Sequence, residues 1–139
     1  MDEMLEPFHG CGKFRQYIAN KSAKYGIKVY ALCDARMFYK QNMELYAGKQ
    51  PTGPYQVPND AGNVMLRLIR PIDKPARNMA MDNYFTSIPL ANKMYANHQL
   101  TIVGTLKKNK REIPLELLDI RHRQLNGCIF VSEEKPSNN

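Results

Sequence analysis

Alternation of apolar and polar positions is clearest in IKVYALCD, where Ile27, Val29, Ala31 and Cys33 interleave with Lys28, Tyr30, Leu32 and Asp34. That period of two predicts a strand. Asp34, Ala35 and Arg36 supply a turn and Met37 to Tyr46 a second strand, so the pair reads as a hairpin. Upstream, KFRQYIANKSAKYGIK scatters basic residues among aromatic and polar ones with no helical stripe, and predicts an exposed strand and loop. Downstream, KQPTGPYQVPND holds three prolines and a glycine and predicts a loop ending in Asn59 or Asp60 as a helix N-cap. Val64, Met65, Leu68 and Ile69 then share one face of a short helix stopped by Pro71. Asp73 to Ala76 reads as a linker, and RNMAM as a strand delivering Asp82. Ser87 can cap a second helix with Pro89 in its first turn, whose apolar face is Leu90, Ala91, Met94 and Tyr95. LTIVGTL returns as a strand, LELLD is a short helix, CIFVSE a last strand, and KPSNN a polar tail. The order, hairpin, helix, strand, helix, strand, predicts a mixed α/β layer.

Composition narrows this little. The chain has 139 residues, 43% hydrophobic and 24% charged, which is ordinary for a folded domain and too apolar for a disordered tail. Its net charge of +7 suits a phosphate backbone or another anionic surface. Cys11, Cys33 and Cys128 are far apart and odd in number, and read as reduced thiols of an intracellular protein. His9 with Cys11 supplies at most two of the four ligands a zinc site needs. No apolar run approaches the roughly 18 residues of a bilayer span, and MDEMLEPFHG carries acids where a signal peptide carries bases, so no membrane association is expected.

The motifs of nucleotide-binding loops, zincins and serine hydrolases are absent. His9, His98 and His122 are isolated in sequence and expected at the surface. Carboxylate chemistry beside basic surface remains. MDNYFTSIP puts Asp82 where a buried strand opens into a loop and helix, the edge at which open α/β sheets bind ligands. Asp82 can equally begin the turn or cap the next helix. If the strand bearing Asp2 lies beside the one ending at Asp82, the two carboxylates meet. Such a pair can hold two Mg²⁺ ions about 3.5 to 4 Å apart, activating a hydroxyl on one side of a phosphodiester and stabilising the leaving oxygen on the other.

Three strings, KFRQYIANKSAKYGIKVYALCD, RNMAMDNYFTSIPLANKMY and LTIVGTLKKNKREIP, resemble in order and spacing the catalytic region of piggyBac-type transposases and of piggyBac-derived host proteins. Their collinearity outweighs the cap reading of Asp82. The resemblance implies an RNase H-like mixed sheet flanked by helices, with three aspartates holding Mg²⁺ to cut and join DNA. Asp2 of MDEM matches the first, which closes the family's first sheet strand, and Asp82 of MDNYFTS matches the second. The third lies past the last residue. Glu112, Glu116 and Asp119 fall outside its motif and read as exposed charges.

With only Met1 ahead of Asp2, the first strand is expected to be truncated, and the C-terminal part of the fold, with its cysteine-rich module, absent. Residues 1–135 would then form a partial catalytic domain, inactive alone, and 136–139 a tail. Lys107, Lys108, Lys110 and Arg111 are the expected phosphate contacts. Lys13, Arg15, Lys21, Lys24 and Lys28 can extend that surface, with Tyr17 and Tyr25 either stacking on unpaired bases or lying in the core. The resemblance further implies transposon-end DNA as partner, a nuclear location, and a homodimer as one assembly open to the chain. The competing reading is a domesticated module that binds DNA or protein without catalysis.

Overall fold

A long central strand organises the larger of two compact units. The computed structural model describes residues 1–72, 76–119, 121 and 123–132, and divides into residues 1–106 and 107–139. In the first unit the central strand is β3 (Tyr25–Cys33), flanked by β1 (Asp2–Pro7), β2 (Arg15–Tyr17) and β4 (Lys40–Leu45), all antiparallel to it. β2 pairs with the start of β3 and β4 with its end, while β1 overlaps both stretches. A strand has two edges, so β1 must lie on one and β2 and β4 share the other.

Being central gives β3 two paired edges. Val29, Tyr30, Ala31 and Leu32 are all buried. The residues that join the core are Tyr30 and Leu32, from the set that also contains Lys28 and Asp34. Val29 and Ala31 are buried on the opposite face, so burial along the strand does not follow a simple alternation of polarity. The predicted hairpin is present, but β4 begins only at Lys40 because Ala35, Arg36 and Met37 form the turn, with Asp34 Oδ1 accepting the Arg36 and Met37 amides at 2.8 Å each. Those two bonds hold the Asp34 carboxyl below its ordinary range.

The helices follow their caps. α1 (Ala61–Leu68) starts at Asp60, whose carboxylate accepts from the Asn63 side chain and, at 3.0 Å, from the Asn63 amide, which together depress its pKa. Its face Val64, Met65 and Leu68, with Ile69, is buried. A 3-10 turn (Arg70–Ile72) ends it at the predicted proline. β5 (Arg77–Met81), α2 (Ile88–His98) and β6 (Leu100–Gly104) form a strand–helix–strand unit in which β5 and β6 are parallel, so α2 serves as the crossover that parallel strands require. Leu90 and Met94 of α2 are buried, whereas Tyr95 stays exposed. Gln99 closes the helix in the left-handed region.

Two expectations need correction. The strand that carries Asp2 does not close there but runs on to Pro7, because DEMLEP pairs along β3 from Asp2↔Ala31 to Pro7↔Gly26. Within CIFVSE, residues 128–132 form no strand, and Phe130 is 92% exposed, because an apolar run needs a partner edge and no ladder reaches it. In the second unit LELLD does form α3 (Leu115–Leu118). Most of the predicted linker (73–75), His122 and the polar tail lie outside the described residues.

Candidate functional site

The start of β1 and the end of β5 are joined by one backbone bond: the Met1 nitrogen donates to the Ala80 carbonyl at 2.7 Å. It puts the segment carrying Asp2 against the segment carrying Asp82, although the two strands belong to different ladders. Both aspartates are exposed. Asp2 Oδ1 accepts the Glu3 amide at 2.7 Å, which leaves Oδ2 open.

Asp82 divides its work between main chain and side chain. Its carbonyl accepts the Phe85 and Thr86 amides at 3.1 Å each and the Thr86 hydroxyl at 2.8 Å, so the backbone does begin a turn. Its carboxylate has no hydrogen-bond or ion-pair partner among the described residues, and the N-cap position of α2 belongs to Ser87. A side chain used as a cap would be bonded, and this one is free to face a ligand. The turn is tightly packed. A Cβ on Gly104 would stand 2.9 Å from the Met81 carbonyl and 3.0 Å from Thr86 Cγ2, and closer still to Thr86 Oγ1.

Beside these carboxylates the sheet buries a cation that sequence reasoning assigned to the basic surface. Lys28 Nζ pairs with Glu3 Oε2 at 2.6 Å and lies over the rings of Tyr84, Tyr30 and Tyr46 at 4.8, 5.1 and 5.5 Å. Tyr30 stacks on Tyr84, and Phe85 meets both rings edge-on. Burial, followed by the hydrogen bond shared with the Tyr84 hydroxyl, pushes the Tyr30 phenol far above its ordinary range. Ring faces and one carboxylate together offset the desolvation of an ammonium. The cluster ties Glu3, next to Asp2, to Tyr84, two residues after Asp82. The signal in the sequence was the Lys28–Tyr30 spacing, which puts both on one strand face.

The remaining candidates separate. Lys107, Lys108, Lys110 and Arg111 fall in the second unit, where Lys107 and Lys110 close a turn; all but Lys110 are exposed. Tyr17 and Tyr25 are exposed, with their rings in tilted contact at 4.8 Å between centres and Arg15 lying 5.0 Å from the centre of the Tyr25 ring, so neither is core. Lys21 is half-buried and donates to the Glu3 carbonyl. Glu112, Glu116 and Asp119 are exposed as expected, and all three cysteines are free thiols. His98 is half-buried, not exposed, because it closes the last turn of α2 just before the buried Leu100. Among the described residues no three His, Cys, Asp or Glu side chains cluster as metal ligands, and no helix is long and apolar enough to cross a membrane.

A mixed α/β fold is what the transposase resemblance implies, and family comparison agrees on the family. The chain belongs to the family described as Transposase IS4, which matches residues 1–136. Within it the chain is of the piggyBac type: it is similar to the protein in the cryo-EM structure of a piggyBac transposase synaptic complex with hairpin DNA, at 38% identity and a TM-score of 0.84. That match covers 95% of this chain and 27% of the other.

Proposed function

We propose that residues 1–135 are part of an RNase H-like catalytic domain of a DNA transposase, with Asp2 and Asp82 as its first and second metal-binding carboxylates. The observation that carries this reading is the Met1–Ala80 bond together with the unpartnered Asp82 carboxylate. Read as a parallel bridge, in which a residue donates to the carbonyl just before its partner, this bond would put Met1 opposite Met81 and Asp2 near Asp82, which supports the reading. The donor set fits Mg²⁺, a hard cation that prefers carboxylate oxygens and retained water. When bound, the ions supply a nucleophile and stabilise a leaving oxygen. Asp2 and Asp82 hold them, the Glu3–Lys28–tyrosine cluster fixes the spacing of their strands, and the Thr86 hydroxyl holds the Asp82 turn. Two carboxylates without a third bind weakly, and the chain alone is inactive.

Exposed Lys107, Lys108 and Arg111, with Lys110, supply phosphate contacts to DNA, and the Arg15–Tyr17–Tyr25 patch adds a stacking surface. The nucleus is where such a protein would meet its DNA. A module that binds DNA without catalysis rests on the same exposed cations, which need no metal.

Manganese titration followed by electron paramagnetic resonance tests the site. Weak binding lost in Asp82→Asn and in Asp2→Asn supports it, and binding indifferent to both changes overturns it. Incubating the same protein with transposon-end DNA separates the readings of activity. Salt-dependent retention that weakens on substitution of Lys107, Lys108, Lys110 and Arg111, without nicking, is expected. Metal-dependent nicking abolished by Asp82→Ala would refute the inactivity.

A further inference from the structure

Glu3, Lys28 and Tyr84 form one continuous link between the β1 segment that carries Asp2 and the turn that follows Asp82. Glu3 stands opposite Tyr30 and Leu5 opposite Lys28, so carboxylate and ammonium meet as diagonal neighbours on one face of the β1–β3 ladder, 2.6 Å apart. Glu3 Oε2 is buried, and among the described residues the Lys28 ammonium is the group paired with it. Of the three rings around that ammonium, Tyr84 lies nearest, 4.8 Å to its centre, and Tyr84 in turn stacks on Tyr30. β1 and β5 belong to different sheets, so the link ties one sheet to the other.

Stability is a poor reason to bury an ammonium here. A buried ion pair roughly breaks even against apolar side chains of the same volume, and its best-attested use is to fix registry. Apolar burial is non-directional and would hold the two sheets together while letting them slide, whereas a charge is drawn to one carboxylate and one ring face. We infer that Lys28 is a positioning residue that sets the preference of the carboxylate site for a small octahedral cation over a larger one, a role that rests on Asp2 and Asp82 being its metal ligands. Mg²⁺ demands near-ideal octahedral geometry at about 2.0–2.1 Å, whereas Ca²⁺ accepts more oxygens at about 2.3–2.6 Å in flexible arrangements. Loosening the two segments therefore penalises the small ion and spares the large one. Charge alone predicts otherwise, because losing a nearby cation strengthens both divalent ions alike.

Mn²⁺, an octahedral substitute for Mg²⁺, is titrated into the full 139-residue chain and followed by electron paramagnetic resonance, with Ca²⁺ as competitor. The decisive protein carries Lys28→Met and Glu3→Gln together, which keeps the net charge and leaves no buried ion without its partner. Its Mn²⁺ dissociation constant should rise about tenfold or more, as for other residues that orient metal ligands, while that of Ca²⁺ changes by less than about threefold. Tyr84→Leu keeps the ion pair and removes the ring that joins it to the Asp82 turn; it should shift the ratio of the two constants the same way, and it decides the question if the double variant does not fold. A folded variant with the parent's ratio, or an equal loss of both ions, overturns the positioning role. Asp82→Asn keeps the two claims apart. If it abolishes Mn²⁺ binding while the other variants retain the parent's ratio, only the role of Lys28 falls; Mn²⁺ binding indifferent to Asp82→Asn removes the metal site and that role with it.

Discussion

Replacing Gly104 by alanine tests the packing that holds the Asp82 turn. The backbone at Gly104 lies outside the left-handed region, so alanine's restriction of the unfolded chain would by itself stabilise the fold by about 0.4–1 kcal/mol. Space decides the sign. The new methyl would lie 2.9 Å from the Met81 carbonyl and 3.0 Å from Thr86 Cγ2. Thr86 is buried, and turning its hydroxyl away would break its 2.8 Å bond to the Asp82 carbonyl. Overpacking of this kind costs about 1–3 kcal/mol, which leaves a net loss centred on about 1.3 kcal/mol. Urea unfolding followed by circular dichroism reads this as a lower midpoint at unchanged slope. Thr86→Ala removes both side-chain obstacles, leaving only the carbonyl, so the double variant should be more stable than the sum of the two losses by at least about 0.5 kcal/mol. A Gly104→Ala protein as stable as the parent, or strict additivity, would show that the turn yields freely and that Thr86 does not position Asp82.

Two further outcomes follow from buried and capping charges. Lys28→Met leaves Glu3 buried without its cation; because both side chains keep some exposure, 15% for Lys28 and 20% for Glu3, a loss of about 2 kcal/mol is expected, below that of a fully enclosed pair. Adding Glu3→Gln should recover most of it, and a double variant no more stable than Lys28→Met would contradict this account. Asp60→Ala removes the α1 cap and should cost about 1 kcal/mol near neutral pH. The folded Asp60 pKa is depressed by the Asn63 bonds, so its contribution is complete above the ordinary value of about 3.9 and is lost as pH falls through the lower folded value. Melting curves of parent and variant should converge over that acidic interval, and a gap independent of pH would remove the carboxylate from the argument.

What could be read from the chain alone divides along a physical line. The Pro-rich loop, the Asp60 cap, the Val64–Ile69 stripe and the strand ending before Asp82 depend on neighbours a few residues away, and they formed as the pattern predicted. Pairing depends on distant partners. That is why the strand after Asp2, the double-sided burial of β3 and the failure of 128–132 to form a strand were not legible. Lys28 shows the difference most sharply. A lysine among lysines reads as surface, and only the pairing of Leu5 with Lys28 and Glu3 with Tyr30 reveals that carboxylate, ammonium and phenol share one face. For the candidate site, Asp82 was visible through its motif, whereas its approach to the Asp2 segment needed the Met1–Ala80 bond.

That bond also has a kinetic meaning. It joins residues 79 apart in the chain, whereas β5 and β6 are brought together by a single intervening helix and β3 and β4 by a short turn. Closing the longer span costs about 1 kcal/mol more chain entropy than closing the strand–helix–strand unit, and contacts of such separation tend to form late. The strand–helix–strand unit and the meander around β3 can therefore each assemble first, with the Met1–Ala80 junction completed last. That junction would be the youngest contact in the folded chain, and the first surrendered when it opens.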